Sequence, residues 1–482
     1  MIRLTRALAD ADGAERFAIE LLADLARVVR AEDETADVVE LHVVTDRIDT
    51  GNLTALARGG WSIDDADGVV RIPRAVLRCI AEVAGAVSEQ RTTVRDVLGR
   101  VPASENTLAA GSAERDPLIS RAAMALRAAT IRAAGPRPVR LVEPWPDGRR
   151  WAAAVTHDLD MVTMWPAFTA LRLAELAGKG ELRRASRVAT AALAAIGRRP
   201  VETATESLLR VERERGVRGT WFVLCGTPTL ATWRAGDLTY SPEGPATRRI
   251  LGAVADGGHE LALHGSQETV ERDTAFAEQR RRLAAIVGTE PIGVRQHFLR
   301  LRPGATQRAM VAAGFSYDST AGFADRNGFR LGVPDVVPAY DASTGRATSL
   351  DEAPFCWMDR SLSKYHDVED PAAWVRDALD LAATCREVEG LWVGIWHPNV
   401  AAASLGYPGA ADAFEALVRG LLAGGPYVAT LGEVVRWRAA RRGVRASRVR
   451  ADGTVELRAA TSFGVRVQLT ERLRETRESV AA

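Results

Sequence analysis

Cysteine is scarce in this chain: 482 residues hold four, Cys79, Cys225, Cys356 and Cys385, far apart and in no CxxC pair. That argues against a disulfide framework and against a cysteine-rich zinc site, and the four read as small buried residues. Long apolar runs are also missing. The opening MIRLTRALADADGAERFAIELL has no basic segment followed by an uninterrupted apolar one, and no later stretch offers about eighteen uncharged apolar residues. The expectation is a soluble, cytoplasmic protein without a transmembrane segment. A charge excess of either sign is absent as well: 63 Lys and Arg balance 62 Asp and Glu, a net charge of +1. No global field therefore argues for a nucleic-acid partner. The one basic stretch, RWRAARRGVRASRVR, lacks interleaved aromatics for base stacking and reads as a solvated face.

At this length a principal domain with attachments is expected. Residues 1–135 alternate helical patterns such as AERFAIELLADLARVVRA with the strand-like VVELHVV, and read as an accessory α/β region. Proline, glycine and a PDG turn mark a linker at 136–150. From Trp151 the rhythm changes. Strand candidates WAAAVTHD, GTWFVLCG, HELALHG, IGVRQHFL, FSYDST and LWVGIWHPN alternate with helical stretches. That βα alternation over 151–440 predicts one α/β unit, a (β/α) barrel of parallel strands. A helical insertion at 162–200 reads as a hairpin packed on the barrel, with a lid or a peripheral membrane contact as the sharper alternative. Residues 441–482 read as a small β appendage of three strands with a DG turn.

In a parallel barrel the active site gathers at the carboxyl ends of the strands. The polar residues that stand out here follow strand-like runs: Asp158 and Asp160 after AAAV, His264 after HELAL, Arg295 and His297 after IGV, and His397 after VGIW. A hydrolytic metal centre needs histidine and carboxylate ligands with an open position. Asp160, His264 and a third nearby group could supply them, with Asp158 spaced to act as a base. Asp318 and Arg330 lie in a polar block that could bind substrate. Each could equally be held by its own salt bridges.

Taken in order, THDLD, GTWFVL, GHELALHG, VRQH, AGFSYDST and WHPN resemble the motifs of the polysaccharide deacetylase family, carbohydrate esterase family 4, over about Trp151 to Arg438. The resemblance implies a distorted (β/α) barrel of seven strands. It also implies Asp158 as general base, Asp160 and His264 as metal ligands, Arg295 as the partner of Asp158, and His397 as the acid for the leaving amine. Asp359 would line the substrate or orient a histidine. The family places a second histidine four residues after the first; here that position is Glu268. Glu268 is preferred as third ligand, with His297 as the alternative. Zinc is the default metal, with cobalt, manganese or iron also suited to an oxygen-rich set. The implied activity is hydrolysis of N-acyl groups, most simply N-acetyl, on an amino sugar, glycoconjugate or polysaccharide precursor. The alternatives are a hydrolase of a non-sugar linear or cyclic amide and an inactive carbohydrate-binding barrel. The sequence carries no reading of the oligomeric state.

Overall fold

The computed structural model describes residues 1–31, 38–44, 62–64, 68–449, 455–458 and 465–469. These form two compact units. One comprises Met1–Ala81, Leu118–Gly148 and Trp437–Ala482; the other comprises Glu82–Pro117 and Arg149–Arg436. In this division Glu82–Pro117 groups with Arg149–Arg436, and Trp437–Ala482 groups with Met1–Ala81 and Leu118–Gly148.

The first unit holds a seven-stranded sheet in the order Val455–Arg458, Arg445–Val449, Arg30–Ala31, Ile2–Arg3, Val39–Val44, Val69–Pro73, Ser62–Asp64. The tail is therefore part of a larger sheet: Arg445 and Ala446 stand opposite Arg30 and Ala31 in a parallel ladder. A third tail strand, Val467–Leu469, pairs antiparallel with Arg140–Val142. The DG turn expected in the tail lies outside the described residues. Helix Gly13–Leu25 starts with a reciprocal capping box between Asp12 and Glu15, which satisfies two of the backbone donors that every helix start leaves open.

The second unit is a distorted (β/α) barrel, an open and curled sheet of ten strands with helices around it. The strand order is Val337–Asp341, Arg346–Glu352, Tyr317–Asp318, Gly293–Gln296, Glu260–Gly265, Thr220–Leu224, Ala152–Leu159, Leu391–Ile395, Trp357–Met358, with Tyr427–Val428 also on Ala152–Leu159. Among the described residues nine strands are joined by parallel pairs, where seven were expected. The additions include the two-residue strands Trp357–Met358 and Tyr427–Val428, too short to leave a periodic signal. Only Val337–Asp341 runs antiparallel to its neighbour. All eight residues of Ala152–Leu159 are buried, the pattern of a strand covered on both faces, which is why it reads as a near-continuous apolar run.

The register brings the strand ends level: Leu159 pairs with Val223, Leu224 with His264, and His264 with Arg295. Residues 162–200 form helices Trp165–Gly178 and Leu182–Ala194, and leave Leu171, Leu182, Leu193 and Ile196 largely exposed. No helix among the described residues is long and apolar enough to cross a membrane.

Candidate active site

Successive side chains of a strand point to opposite faces, and the segment THDLD uses both. Thr156 and Asp158 face the Arg295 side. Asp160 follows just beyond the strand end. His157 points the other way, where its ring nitrogens lie 2.7 Å from the Trp396 carbonyl and 3.1 Å from Glu212. It belongs to the scaffold beneath the site. His259 is likewise structural: its Nδ1 accepts the Gly219 N–H at 2.9 Å.

Asp158 and Arg295 form a fully buried ion pair with Nη1 to Oδ1 at 2.6 Å. The guanidinium is fixed on every side. Nη1 also donates to Thr156 Oγ1, Nε to the Ser319 carbonyl and Nη2 to Ser319 Oγ, at 2.8–3.0 Å, and the group lies 4.1 Å from the Phe222 ring centroid. A buried charge is tolerable when paired and hydrogen-bonded in this way. Burial alone would push the Asp158 carboxyl upward, but Arg295, His264 and His397 outweigh it and hold the carboxyl below the usual range. Asp158 is thus an anion with one oxygen anchored.

Three histidines converge on the two aspartates. His264 Nε2 is 3.3 Å from Asp160 Oδ1, His297 Nε2 is 3.7 Å from the same oxygen, and His397 Nε2 is 3.5 Å from Asp160 Oδ2. Each ring is oriented by a bond at its other nitrogen: His264 Nδ1 to the Arg295 carbonyl at 2.8 Å, His297 Nδ1 to Asp237 at 2.8 Å, and His397 Nδ1 to Asp359 at 2.6 Å. Asp359 also accepts the His397 backbone N–H at 2.8 Å. Such outer partners accept from Nδ1–H, and on His264 and His297 this leaves the Nε2 lone pair toward the centre.

Asp160, His264 and His297 form a group that could hold a metal ion, with all three ligand atoms within 4.8 Å of one another. Tetrahedral zinc with bonds of about 2.0–2.2 Å separates its ligand atoms by about 3.4 Å, close to the 3.3 and 3.7 Å found from Asp160 to the two histidines. Asp160 Oδ1 is buried with no hydrogen-bond partner. That is the state expected of a carboxylate oxygen reserved for a cation. Burial opposes charge on His264, yet the two nearby aspartates raise its affinity for a proton, so the cluster calls for positive charge. The donor set fits a divalent metal.

The third position departs from the sequence expectation. Glu268 opens the short helix Glu268–Glu271, its side chain is 43% exposed, and it pairs with Arg272 at 2.7 Å on the surface. The chain instead turns sharply after Gln296. Phe298 and Leu299 adopt left-handed backbone with φ of 56° and 58°, and the Phe298 ring stacks on the His297 imidazole at 3.9 Å. Left-handed backbone is strained for residues of this kind, and His297 directly precedes them, with Nε2 3.7 Å from Asp160 Oδ1. Glu268→Ala is accordingly expected to leave the metal content of purified protein unchanged, as measured by elemental analysis; loss of metal would return Glu268 to the site.

Two substrate candidates also lie elsewhere. Asp318 is fully buried and stands opposite Glu352 in the register. Burial with that neighbouring carboxyl raises Glu352 well above its ordinary value, and burial pushes Asp318 up to about 7 despite hydrogen bonds from Thr320. Arg330 is bound to Glu89 at 2.6 Å and to the carbonyls of Gly322 and Val101, and it lines a separate cavity of about 300 Å³. Both residues have structural partners. Asp359 is placed as an orienting group for His397. Asp237 was missed in the sequence: its partner His297 is 60 residues away, and a lone Asp in a loop carries no signal.

Comparison with known proteins finds no matching protein-family model and no matching curated protein. Among solved structures the chain is similar to a Mycobacterium smegmatis protein assigned to the polysaccharide deacetylases, at 21% identity and TM-score 0.40, covering 64% of this chain and 96% of that one. It is similar to the Puue allantoinase at 14% identity and TM-score 0.37, covering 61% and 92%. It is also similar to the chitin deacetylase of the fungal pathogen Colletotrichum lindemuthianum at 12% identity and TM-score 0.33, covering 59% and 86%.

Proposed function

We propose that the barrel is a metal-dependent hydrolase of N-acyl groups, in the first instance N-acetyl groups on an amino sugar or glycoconjugate. One observation carries the reading: an anchored, ionised Asp158 and an oriented His397 flank one metal-capable group. His397 Nε2 lies 3.9 Å and His264 Nε2 lies 3.8 Å from Asp158 Oδ2. A divalent cation held by Asp160, His264 and His297 would polarise the acyl carbonyl and make water a better nucleophile.

The chain's own residues supply the proton traffic. Asp158, with Oδ1 on Arg295, offers Oδ2 to take a proton from the attacking water. His397 is the acid. Burial opposes its charge, but Asp359, Asp160 and Asp158 raise it to about 9, so it is protonated near neutral pH and can donate from Nε2 to the departing nitrogen. Asp359 holds the ring so that this proton points into the cleft. The products would be a carboxylate, acetate in the simplest case, and a free amine.

Acetate release from a panel of N-acetylated sugars and sugar conjugates, with zinc, cobalt, manganese or iron supplied, tests the reading. Protein that binds metal yet releases no acetate from any of them would overturn it. The pH profile gives a second check. A protonated His397 is fully present below its ordinary value of 6.5 and is lost as pH rises through its folded value, so kcat should fall on an alkaline limb within about 6.5 to 9. A cation on Asp160 moves the limb toward the lower end. Asp359→Asn removes the largest cause of the upward shift, and the limb should move to lower pH; an unmoved limb would remove His397 from the acid role.

A further inference from the structure

Beside Asp160 and His297 a cleft of about 350 Å³ opens, and its wall carries Arg172, Arg360, Lys364 and Tyr407. Arg172 comes from helix Trp165–Gly178 of the insertion. Arg360 and Lys364 sit one turn apart on helix Asp359–Tyr365, the helix whose first residue orients His397. The guanidinium carbons of Arg172 and Arg360 lie 5.4 and 5.9 Å from the centroid of the Tyr407 ring, so both flank one aromatic side chain.

The cleft's acids are already engaged. Asp160 belongs to the metal-capable group, while Glu175 and Asp367 are bridged by Lys179 at 3.3 and 3.1 Å. Two of the cations are not: Arg360 donates to the Tyr407 hydroxyl at 3.3 Å, and among the described residues neither Arg360 nor Lys364 has a carboxylate within ion-pair distance. Arg172 uses Nη1 on Glu175, but its Nε and Nη2 are buried without a hydrogen-bond partner. Buried guanidinium donors in native proteins are normally satisfied, so the unpartnered ones of Arg172, on a cleft wall with two cations that lack a carboxylate, call for an oxygen ligand there.

The number of free donors narrows the ligand. A carboxylate offers two oxygens and one charge, whereas a phosphate monoester offers three terminal oxygens and close to two charges, and Arg forks with a Lys point charge suit phosphate. We propose that Arg172, Arg360 and Lys364 form an anion subsite that selects substrates carrying a phosphate group next to the N-acyl group. The proposal rests on the hydrolase reading for its acyl chemistry, while the anion site itself can be measured without turnover.

Three measurements test it. The first compares kcat/KM for N-acetylglucosamine 1-phosphate with that for N-acetylglucosamine. A preference of tenfold or more is expected, and Arg360→Gln/Lys364→Gln should bring the ratio toward one. An equal preference in wild type, or a preference that survives the substitutions, would overturn the subsite. A preference for a carboxylate-bearing sugar such as N-acetylmuramic acid over the phosphate would overturn the phosphate assignment.

The second titrates inorganic phosphate into metal-free protein. Binding should be retained in Asp158→Asn and weakened at least tenfold in the double variant and in Arg172→Gln. Retained phosphate binding with no acetate release from any substrate would leave the subsite standing and remove the hydrolase reading. Undetectable phosphate binding would remove the subsite. A third arm separates sources of phosphate: co-sedimentation with phosphatidylglycerol vesicles, lost in the double variant, would identify a lipid headgroup as the bound anion. Free protein with retained sugar-phosphate preference would identify a soluble substrate.

Discussion

Asp158→Asn is expected to reduce kcat by roughly a hundred- to ten-thousand-fold, the range for loss of a positioned general base, while metal content stays unchanged. The substitution is close to isosteric. Its carbonyl oxygen can still accept the Arg295 Nη1–H that reaches Oδ1 at 2.6 Å, so the guanidinium keeps its partner and the strand keeps its packing. What disappears is the basicity of the other oxygen. Single-turnover acetate release alongside elemental analysis checks both halves. Turnover near the wild-type rate would take Asp158 out of the base role, and joint loss of metal and turnover would make it a ligand.

His297→Ala is expected to lower metal affinity by more than about a hundredfold, beyond the roughly 10–100-fold seen when only an outer partner of a ligand is removed. Asp237→Asn should fall within that smaller range, because Asp237 acts by orienting the His297 ring. Competition against a chromogenic chelator measures both. Equal affinities for wild type and His297→Ala would leave Asp160 and His264 without this third ligand.

Ala152–Leu159, Thr220–Leu224 and Leu391–Ile395 were legible because they are short buried runs, whereas Arg346–Glu352 is polar and half exposed and Trp357–Met358 and Tyr427–Val428 are too short to signal. Asp158, Asp160, His264, Arg295 and His397 come together because they fall at the same end of neighbouring strands, a relation that sequence order preserves. Glu268 lies apart from the metal-capable group for a physical reason. Counting four residues from His264 leads into the short helix Glu268–Glu271, whereas His297 reaches Asp160 from just beyond the adjacent strand Gly293–Gln296. Asp318 is a buried residue of the strand Tyr317–Asp318 itself, opposite Glu352 in register. The cations of the cleft were invisible since helices far apart in sequence contribute them.

The three residues suited to metal lie after the first, within the third and after the fourth of the barrel's strands in chain order, in segments separated by about a hundred residues and by thirty. An ion there would be a crosslink as well as a reagent, joining loops that the backbone alone connects only through whole βα units. Because the unfolded chain offers no such preformed set, occupancy stabilises the folded state by about 2.7 kcal/mol at a hundredfold excess of free ion over Kd. Metal supply would then set part of the folded barrel's equilibrium stability, and chelation would lower it even where no substrate is present.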